Sequence, residues 1–207
     1  MHFYTKKDSK YEKVVFGIAI FSYVVAPYLS SLLEQLLTNE SVNLIIKNLG
    51  LSISSLTIFS ISYFVFTKWL WKIPFIAAYL NVTNISGIWK CEGIGCKYDE
   101  ATIKNNWTGT VKIVKSLTRM EIILTTDKSQ SRSTSVISNL ELHETNECTL
   151  SYMYFNKPNN ISEGLNEHEG FCTLIFDLEK KKATGSYYTN PSRKSFGTMD
   201  LEFLSSC

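Results

Sequence analysis

The stretch VVFGIAIFSYVVAPYLSSLL, residues 14–33, contains no charged side chain, and its length decides how the N-terminal part folds. A second uncharged apolar run, Leu49–Phe66, follows it. The runs are about 20 and about 18 residues long, so at about 1.5 Å of rise per residue each can cross the roughly 30 Å hydrocarbon layer of a bilayer. We therefore expect a transmembrane hairpin with helices at about residues 14–37 and 49–71.

Two other interpretations of these runs are weaker. Buried core helices of a soluble protein usually carry a polar stripe, whereas the first charge after Val14 is Glu34. A cleavable signal peptide is not expected, because the first run is longer than a typical signal core and a second span follows it. The hairpin interpretation is therefore favoured.

Lysines flank the hairpin on its outer sides. Lys68 and Lys72 follow the second run, the loop between the runs has only Lys47, and four lysines precede the first run: Lys6, Lys7, Lys10 and Lys13. By the positive-inside rule, both termini are expected in the cytoplasm.

After Pro74 the continuous apolar pattern gives way to short alternating runs separated by polar, Gly, Asn and Pro residues, which is typical of antiparallel strands. We predict an eight-stranded antiparallel up-and-down β-barrel in residues 81–207, attached to residues 1–80, the N-terminal tail and the two transmembrane helices. Such a barrel can hold one small ligand. A β-sandwich without a cavity is the alternative. The predicted strands are 87–97, 107–115, 118–126, 132–142, 147–156, 170–178, 182–189 and 196–204.

The charge balance argues against a polymeric nucleic acid partner. Residues 81–207 carry 14 Lys or Arg against 15 Asp or Glu, whereas non-specific binding to DNA or RNA needs a basic surface. The five cysteines include no CxxC pair and are expected to be free thiols in the cytoplasm.

No catalytic or metal-binding motif is present, and we expect neither an enzyme nor a metal site. The three histidines, His2, His143 and His168, fall in a tail or in polar loops and lack zinc-ligand spacing.

Alternation along the strands predicts which side chains face the barrel interior. The predicted interior is apolar but contains phenols and an indole, and Arg193 lies in the last hairpin beside Thr189. Aromatic rings stack on nucleobases, and a guanidinium binds phosphate oxygens. Alternatively, the tyrosines belong to the core and Arg193 is solvated. The predicted inward set is Trp107, Gly109, Val111, Ile113, Met120, Ile122, Leu124, Leu150, Tyr152, Tyr154, Cys172, Leu174, Phe176, Gly185, Tyr187, Thr189, Gly197, Met199, Leu201 and Phe203.

Gly87-Ile88-Trp89 resembles the G-x-W motif that opens lipocalin-like barrels. The two apolar runs, this motif, eight strands and the hairpin from Gly185 through Arg193 to Met199 together resemble the two-transmembrane β-barrel effectors of cyclic-oligonucleotide-based antiphage signalling systems (CBASS). The resemblance implies a bacterial inner-membrane protein with a cytoplasmic barrel, and it extends over essentially the entire chain.

The resemblance also implies a function. The ligand would be a cyclic dinucleotide made by a partner nucleotidyltransferase, and its binding would promote homo-oligomerisation of the hairpins among the membrane lipids, disruption of the membrane and growth arrest or death of the infected cell. The site would use Arg193 for phosphate, Tyr187, Tyr152 and Trp107 for base stacking and Thr189 for a polar edge contact, with Arg132 and Arg119 as reserve cations.

Two other functions stay open at this point. A lipocalin-like interior could bind a lipid or another apolar molecule, and the outer surface of the barrel could recruit a protein as a scaffold. A fatty-acid site needs one cation above an apolar lumen, whereas a cyclic dinucleotide needs donors near two phosphates.

Overall fold

The computed structural model describes residues 1–6, 9–36, 54–80, 82–98, 100–143, 146–157, 167–191 and 193–206. The chain divides into two compact units, one made of Met1–Lys7 with Thr83–Cys207 and the other of Asp8–Val82. The sequence-based division at residues 80 and 81 assigned the first residues to the membrane portion, but they belong to the β unit.

The described part of the helical unit begins with α1, Ser9–Leu36. The next described residues begin at Ser54. They form α2, Ser55–Lys68, a short 3-10 helix, Leu70–Lys72, and α3, Pro74–Tyr79. The side chain of Ser54 caps α2 by accepting a hydrogen bond from the Thr57 backbone N–H at 3.2 Å.

Helix α1 exposes much apolar surface. Phe16, Tyr23 and Val24 are each more than half exposed, which a water-soluble surface rarely tolerates over a whole helix. Its segment Lys10–Leu32 is long and apolar enough to cross a membrane. It is the one such helix in the described ranges.

The predicted helix boundaries need correction. The first helix begins at Ser9 rather than near residue 14. Of the second predicted span, residues 49–53 lie outside the described residues, and the described helix α2 has 14 residues. A membrane-spanning length for the second helix therefore stays a prediction.

The eight predicted strands are present. They form a single sheet that closes into a barrel, and each neighbouring pair among them is antiparallel. The predicted inward residues are buried or half-buried, so the alternation gave the correct faces. The strands are β2 Gly87–Lys97, β3 Glu100–Lys115, β4 Arg119–Thr126, β5 Arg132–Leu142, β6 Glu147–Lys157, β7 His168–Asp177, β8 Lys182–Thr189 and β9 Ser195–Ser205.

A ninth described strand, β1 His2–Lys6, makes the prediction of eight strands wrong. It lies between β4 and β5, pairing antiparallel with β4 at His2 and parallel with β5 from Tyr4 onward. Where β1 ends, β4 and β5 pair directly with each other through backbone hydrogen bonds, with Ile123 opposite Thr134. The N-terminal tail thus fills a gap in the sheet, and one pairing of the barrel is parallel.

The apolar core occupies one end of the barrel, which we call the closed end. It is sealed by Ile85, just before β2, whose carbonyl accepts a hydrogen bond from the Trp89 indole N–H at 3.2 Å. Trp89 is 4% exposed and packs edge-on against Phe176 and Phe203. Aliphatic side chains such as Leu140 fill the remaining space.

Candidate functional site

The other end of the barrel, the open end, contains a cavity of about 360 Å³. The same inward alternation that builds the closed end supplies its walls, but here most side chains are aromatic or polar, Leu124 and Met199 being apolar. Its lining comes from β3 to β9 and from the turns that join β4 to β5 and β8 to β9. This volume lies at the low end of the range of small-molecule sites.

Two tyrosines at successive inward positions of β6 form one wall of the cavity. Tyr152 and Tyr154 follow each other on the inner face of β6, are 3% and 7% exposed, and have ring centroids 6.2 Å apart. Burial raises the pKa of both phenols above the ordinary tyrosine value. Both hydroxyls are therefore neutral at pH 7 and can donate hydrogen bonds.

Trp107 on β3 and Tyr187 on β8 meet across the cavity. The indole N–H donates to the Tyr187 hydroxyl at 3.1 Å, and the rings are edge-on with centroids 5.9 Å apart. Glycines on β2 make room for these rings, because a Cβ at Gly93 would collide with the indole and one at Gly95 with the phenol. Burial raises the pKa of Tyr187, while the indole donor and the nearby Arg193 charge act to lower it.

The turn between β8 and β9 carries Arg193 to the edge of the cavity. Thr189 fastens this turn, because its hydroxyl donates to the Ser195 carbonyl at 3.1 Å and accepts from the Ser195 N–H at 2.9 Å. The backbone N–H of Arg193 donates to the Asn190 carbonyl at 3.1 Å. From this anchored turn, the Arg193 guanidinium reaches the ring of His168, with Nη1 3.2 Å from Nδ1.

Amide and hydroxyl groups form the remaining polar wall. Asn156 donates to the Ser133 hydroxyl at 2.7 Å, and both side chains are buried. Thr126, at the end of β4, is within hydrogen-bond distance of Ser131, at 2.9 Å between the hydroxyl oxygens. Groups of this kind can match the donors and acceptors on the edge of a nucleobase.

Five of the six predicted site residues line this one cavity: Arg193, Tyr187, Thr189, Tyr152 and Trp107. Their binding roles stay predictions. The sixth, Arg132, is exposed on the outer face of β5, because alternation turns its neighbour Ser133 inward. The reserve residue Arg119 begins β4 near the closed end, where its guanidinium lies 4.9 Å from the Phe3 ring centroid.

Sequence reasoning missed His168 and Asn156 as site residues. His168 was assigned to a polar loop, but it begins β7, is 7% exposed and faces Asn156 across the ladder. The polar sequence NEHEG, residues 166–170, hides this strand start. Only the alternation backward from Cys172 through Gly170 could have revealed an inward histidine.

In the described ranges, no three His, Cys, Asp or Glu side chains form a group that could hold a metal ion. The cysteines Cys91, Cys148 and Cys172 are buried free thiols, and Cys96 is a free thiol with partial exposure. The cavity lining combines aromatic, amide, hydroxyl, imidazole, guanidinium and ammonium groups with the apolar side chains of Leu124 and Met199.

Comparison with known proteins agrees with this site chemistry. Residues 80–202 match the family model described as Cap15, cyclic dinucleotide receptor domain, and residues 12–72 match the one described as Cap15, TM helices. The first match alone spans more than half of the chain. The chain belongs to the Cap15 family. The match to the receptor domain includes every residue that lines the cavity.

One curated relative is CD-NTase-associated protein 15 of Yersinia aleksiciae. It is 29% identical over an alignment of 197 residues, and the match covers 93% of this chain and 90% of the relative. These matches confirm the resemblance to the membrane-anchored CBASS proteins that the sequence predicted, including a cyclic dinucleotide receptor domain and a membrane-associated N-terminal region.

Proposed function

We propose that this protein is an antiphage effector whose barrel binds a cyclic dinucleotide in the open-end cavity, and that binding drives the membrane helices to associate and disrupt the inner membrane. The observation that carries the proposal is that the cavity lies wholly within the part of the chain that matches a cyclic dinucleotide receptor domain. The ligand would come from a partner nucleotidyltransferase, as the name of the relative, CD-NTase-associated protein 15, suggests.

The chemistry of the cavity supports this ligand class. A cyclic dinucleotide presents two flat bases and two anionic phosphates. Trp107 and Tyr187 offer aromatic surfaces for a base, and Arg193 offers several N–H donors for a phosphate oxygen. Tyr154, Asn156 and the other polar wall groups would read the base edge. The protein would act by binding rather than by catalysis.

A wholly apolar ligand fits this cavity less well. A fatty acyl chain placed against Asn156, Ser133 and Thr189 would keep water from the hydrogen-bonding capacity that these side chains retain beyond their bonds to each other and to Ser195. Burying polar groups in this way costs free energy. A lipid ligand is therefore the second outcome that the experiment below distinguishes.

Coupling to the membrane follows from differential binding. A ligand shifts an equilibrium only if it binds one state more tightly, and about 1.4 kcal/mol of difference shifts it tenfold. Tethering by a membrane helix such as α1 raises the effective concentration of neighbouring chains. Modest ligand-promoted contacts would then be enough to assemble many hairpins.

The proposed topology has two membrane spans and both termini in the cytoplasm, where the barrel meets its ligand. The lysines that flank the helical region on its outer sides support this orientation. Reporter fusions to the C-terminus check it. A fusion active only in the periplasm would contradict the cytoplasmic barrel.

The binding test uses the full-length protein in lipid nanodiscs. Thermal unfolding of the barrel is measured with cyclic di-AMP, cyclic di-GMP, cyclic GMP–AMP, AMP and oleate. A cognate ligand at 100 times its Kd should stabilise the folded barrel by about 2.7 kcal/mol. Stabilisation by a cyclic dinucleotide and not by AMP or oleate is the expected result.

The other outcomes of this panel are informative. Stabilisation by oleate alone would replace the proposal with lipid binding. No stabilisation by any compound would favour a scaffold that acts through the outer surface of the barrel. Release of a dye from liposomes containing the protein, on addition of the stabilising ligand, then tests the membrane-disruption step.

A further inference from the structure

His168 and Arg193 form a pair at the edge of the cavity. They come from different elements, β7 and the β8–β9 turn, and Nη1 of Arg193 lies 3.2 Å from Nδ1 of His168. A guanidinium only donates hydrogen bonds, so Nδ1 must accept and the ring proton must sit on Nε2. The contact therefore requires a neutral imidazole in one tautomer.

The imidazole is fixed by its surroundings. His168 is 7% exposed, lies edge-on to the Tyr154 ring at 6.4 Å between centroids, and faces Asn156 in the ladder. Arg193, in contrast, is exposed and would be mobile without an anchor. The buried partner thus determines where the exposed partner holds its charge.

We infer that His168 is a positioning residue, which in its neutral form holds the Arg193 guanidinium at the cavity for an anionic ligand and releases it on taking up a proton. The inference rests on the proposed function, because it assigns a regulator to the same cyclic dinucleotide site. A protonated ring would place an N–H where Nδ1 now accepts, beside a second positive charge.

The charged and titratable groups around His168 determine whether ligand affinity rises or falls when the ring takes up a proton. In the described ranges, Arg193 faces it from the β8–β9 turn and Tyr154 from β6, while Lys128 and Tyr187 line the same cavity. The carboxylates nearest in sequence, Glu167 and Glu169, are exposed. Histidine is the side chain that ordinarily changes charge between about pH 5 and pH 8.

The opposite change of affinity with pH is expected if His168 binds a phosphate directly. An anion beside the ring would favour the protonated form, and affinity would then increase as the pH falls. A positioning role predicts that affinity decreases as the pH falls, since protonation removes Arg193 from the site. The direction of the pH profile therefore separates the two roles, and a purely structural role gives neither.

The experiment measures the Kd of the cyclic dinucleotide that binds best at pH 8 to the full-length protein in nanodiscs, by calorimetry, from pH 8 to pH 5.5. Phosphodiesters stay anionic over this range. We expect binding to weaken roughly 10- to 100-fold once the ring is protonated, the factor that the loss of a hydrogen bond to a charged group is worth. The variant His168→Gln keeps an acceptor that does not titrate, so its Kd should change little between pH 8 and pH 5.5, whatever its value at pH 8.

The matched controls are the other two histidines. His143→Gln and His2→Gln should keep the wild-type pH profile, because His143 is bonded to Thr149 at the closed end and His2 to Ser135. Arg193→Gln, in an exposed turn where folding is not at risk, should bind weakly and without pH dependence. Its flat profile supports the inference even if His168→Gln fails to fold.

The outcomes are distinct. Binding that is equally tight at pH 8 and pH 5.5, or tighter at pH 5.5, overturns the inference and leaves the proposed function standing. A wild-type pH profile in His168→Gln also overturns it. No binding of any cyclic dinucleotide at pH 8 overturns the proposed function itself.

Discussion

Trp89 and Trp107 both point into the barrel from adjacent strands, yet their surroundings differ. Trp89, at the closed end, donates its N–H to a backbone carbonyl and packs against the two phenylalanine rings Phe176 and Phe203. Trp107, at the open end, donates to the hydroxyl of Tyr187 and borders a cavity. One indole is enclosed by packing partners, whereas the other keeps a face toward space that a ligand can fill.

The difference shows how one alternating pattern serves two purposes. On β6 the inward residues are apolar toward the closed end and tyrosine or polar toward the open end, running from Leu150 to Tyr154 and Asn156. The closed end can stabilise the sheet without a ligand. The open end can then keep polar groups in the cavity, because stability does not depend on filling it.

Replacing each of the two tryptophans by alanine should have the largest effects, on stability at the closed end and on ligand binding at the open end. Trp89→Ala leaves a large void in a packed core and should lower the free energy of unfolding by about 3–5 kcal/mol. Trp107→Ala removes a half-buried ring beside existing space, so it should cost less stability but weaken ligand binding. Thermal unfolding and calorimetry of both variants in nanodiscs check this. Equal losses of stability would contradict the division between the ends.

Arg193→Ala should have the next largest effect, on affinity alone. Hydrogen bonds to charged groups contribute about 1.5–3 kcal/mol, so the Kd for a cyclic dinucleotide should increase roughly 10- to 100-fold with little change in unfolding temperature. Calorimetry at pH 8 measures it. Unchanged affinity would remove Arg193 from the site.

Arg132→Ala is the matched control for Arg193→Ala. Arg132 lies on the outer face of β5 at the same end of the barrel, next to the inward Ser133. It shares the charge and the neighbourhood but does not line the cavity. A comparable loss of affinity in Arg132→Ala would mean that Arg193 acts through the general electrostatic field rather than by contact.

The sequence predicted the closed end more completely than the open end. Strictly alternating runs such as Val111 and Ile113 identify the inner face, because only one face of a strand can be buried in the interior. Around Arg132 the sequence Ser-Arg-Ser-Thr-Ser has no apolar alternation, so nothing in it distinguishes the faces. The serines that face the cavity were therefore missed, and Arg132 was named as a reserve cation although its side chain lies on the outer face.

Features that depend on distant partners could not be read from local patterns. Strand β1 is five residues long, and its pairing depends on β4 and β5, more than 100 residues away. Tyr4 is held there by a hydrogen bond to the Leu117 carbonyl at 3.0 Å. The burial of His168 likewise results from the ladder with Asn156 and from the contact with Arg193.

Thiol reactivity provides a finer comparison, between the interior and the outer face. Burial raises the pKa of Cys91, Cys148 and Cys172 to about 12, so these thiols stay protonated at pH 8. Alkylation needs the thiolate and access to it. In the folded protein at pH 8, iodoacetamide should therefore modify Cys96, which is partly exposed on β2, well before Cys91, Cys148 and Cys172.

The same raised pKa values give a direction for stability. A group with a pKa higher in the folded than in the unfolded state stabilises folding fully below its unfolded pKa, about 8.5 for cysteine, and this contribution is lost as the pH rises toward 12.

Peptide mapping after alkylation at pH 8, with and without denaturant, measures the protection at each site. If Cys91 and Cys172 were modified as fast as Cys96 in the folded protein, the interior would be open to solvent, and the distinction between a sealed end and a ligand-accessible end would fail.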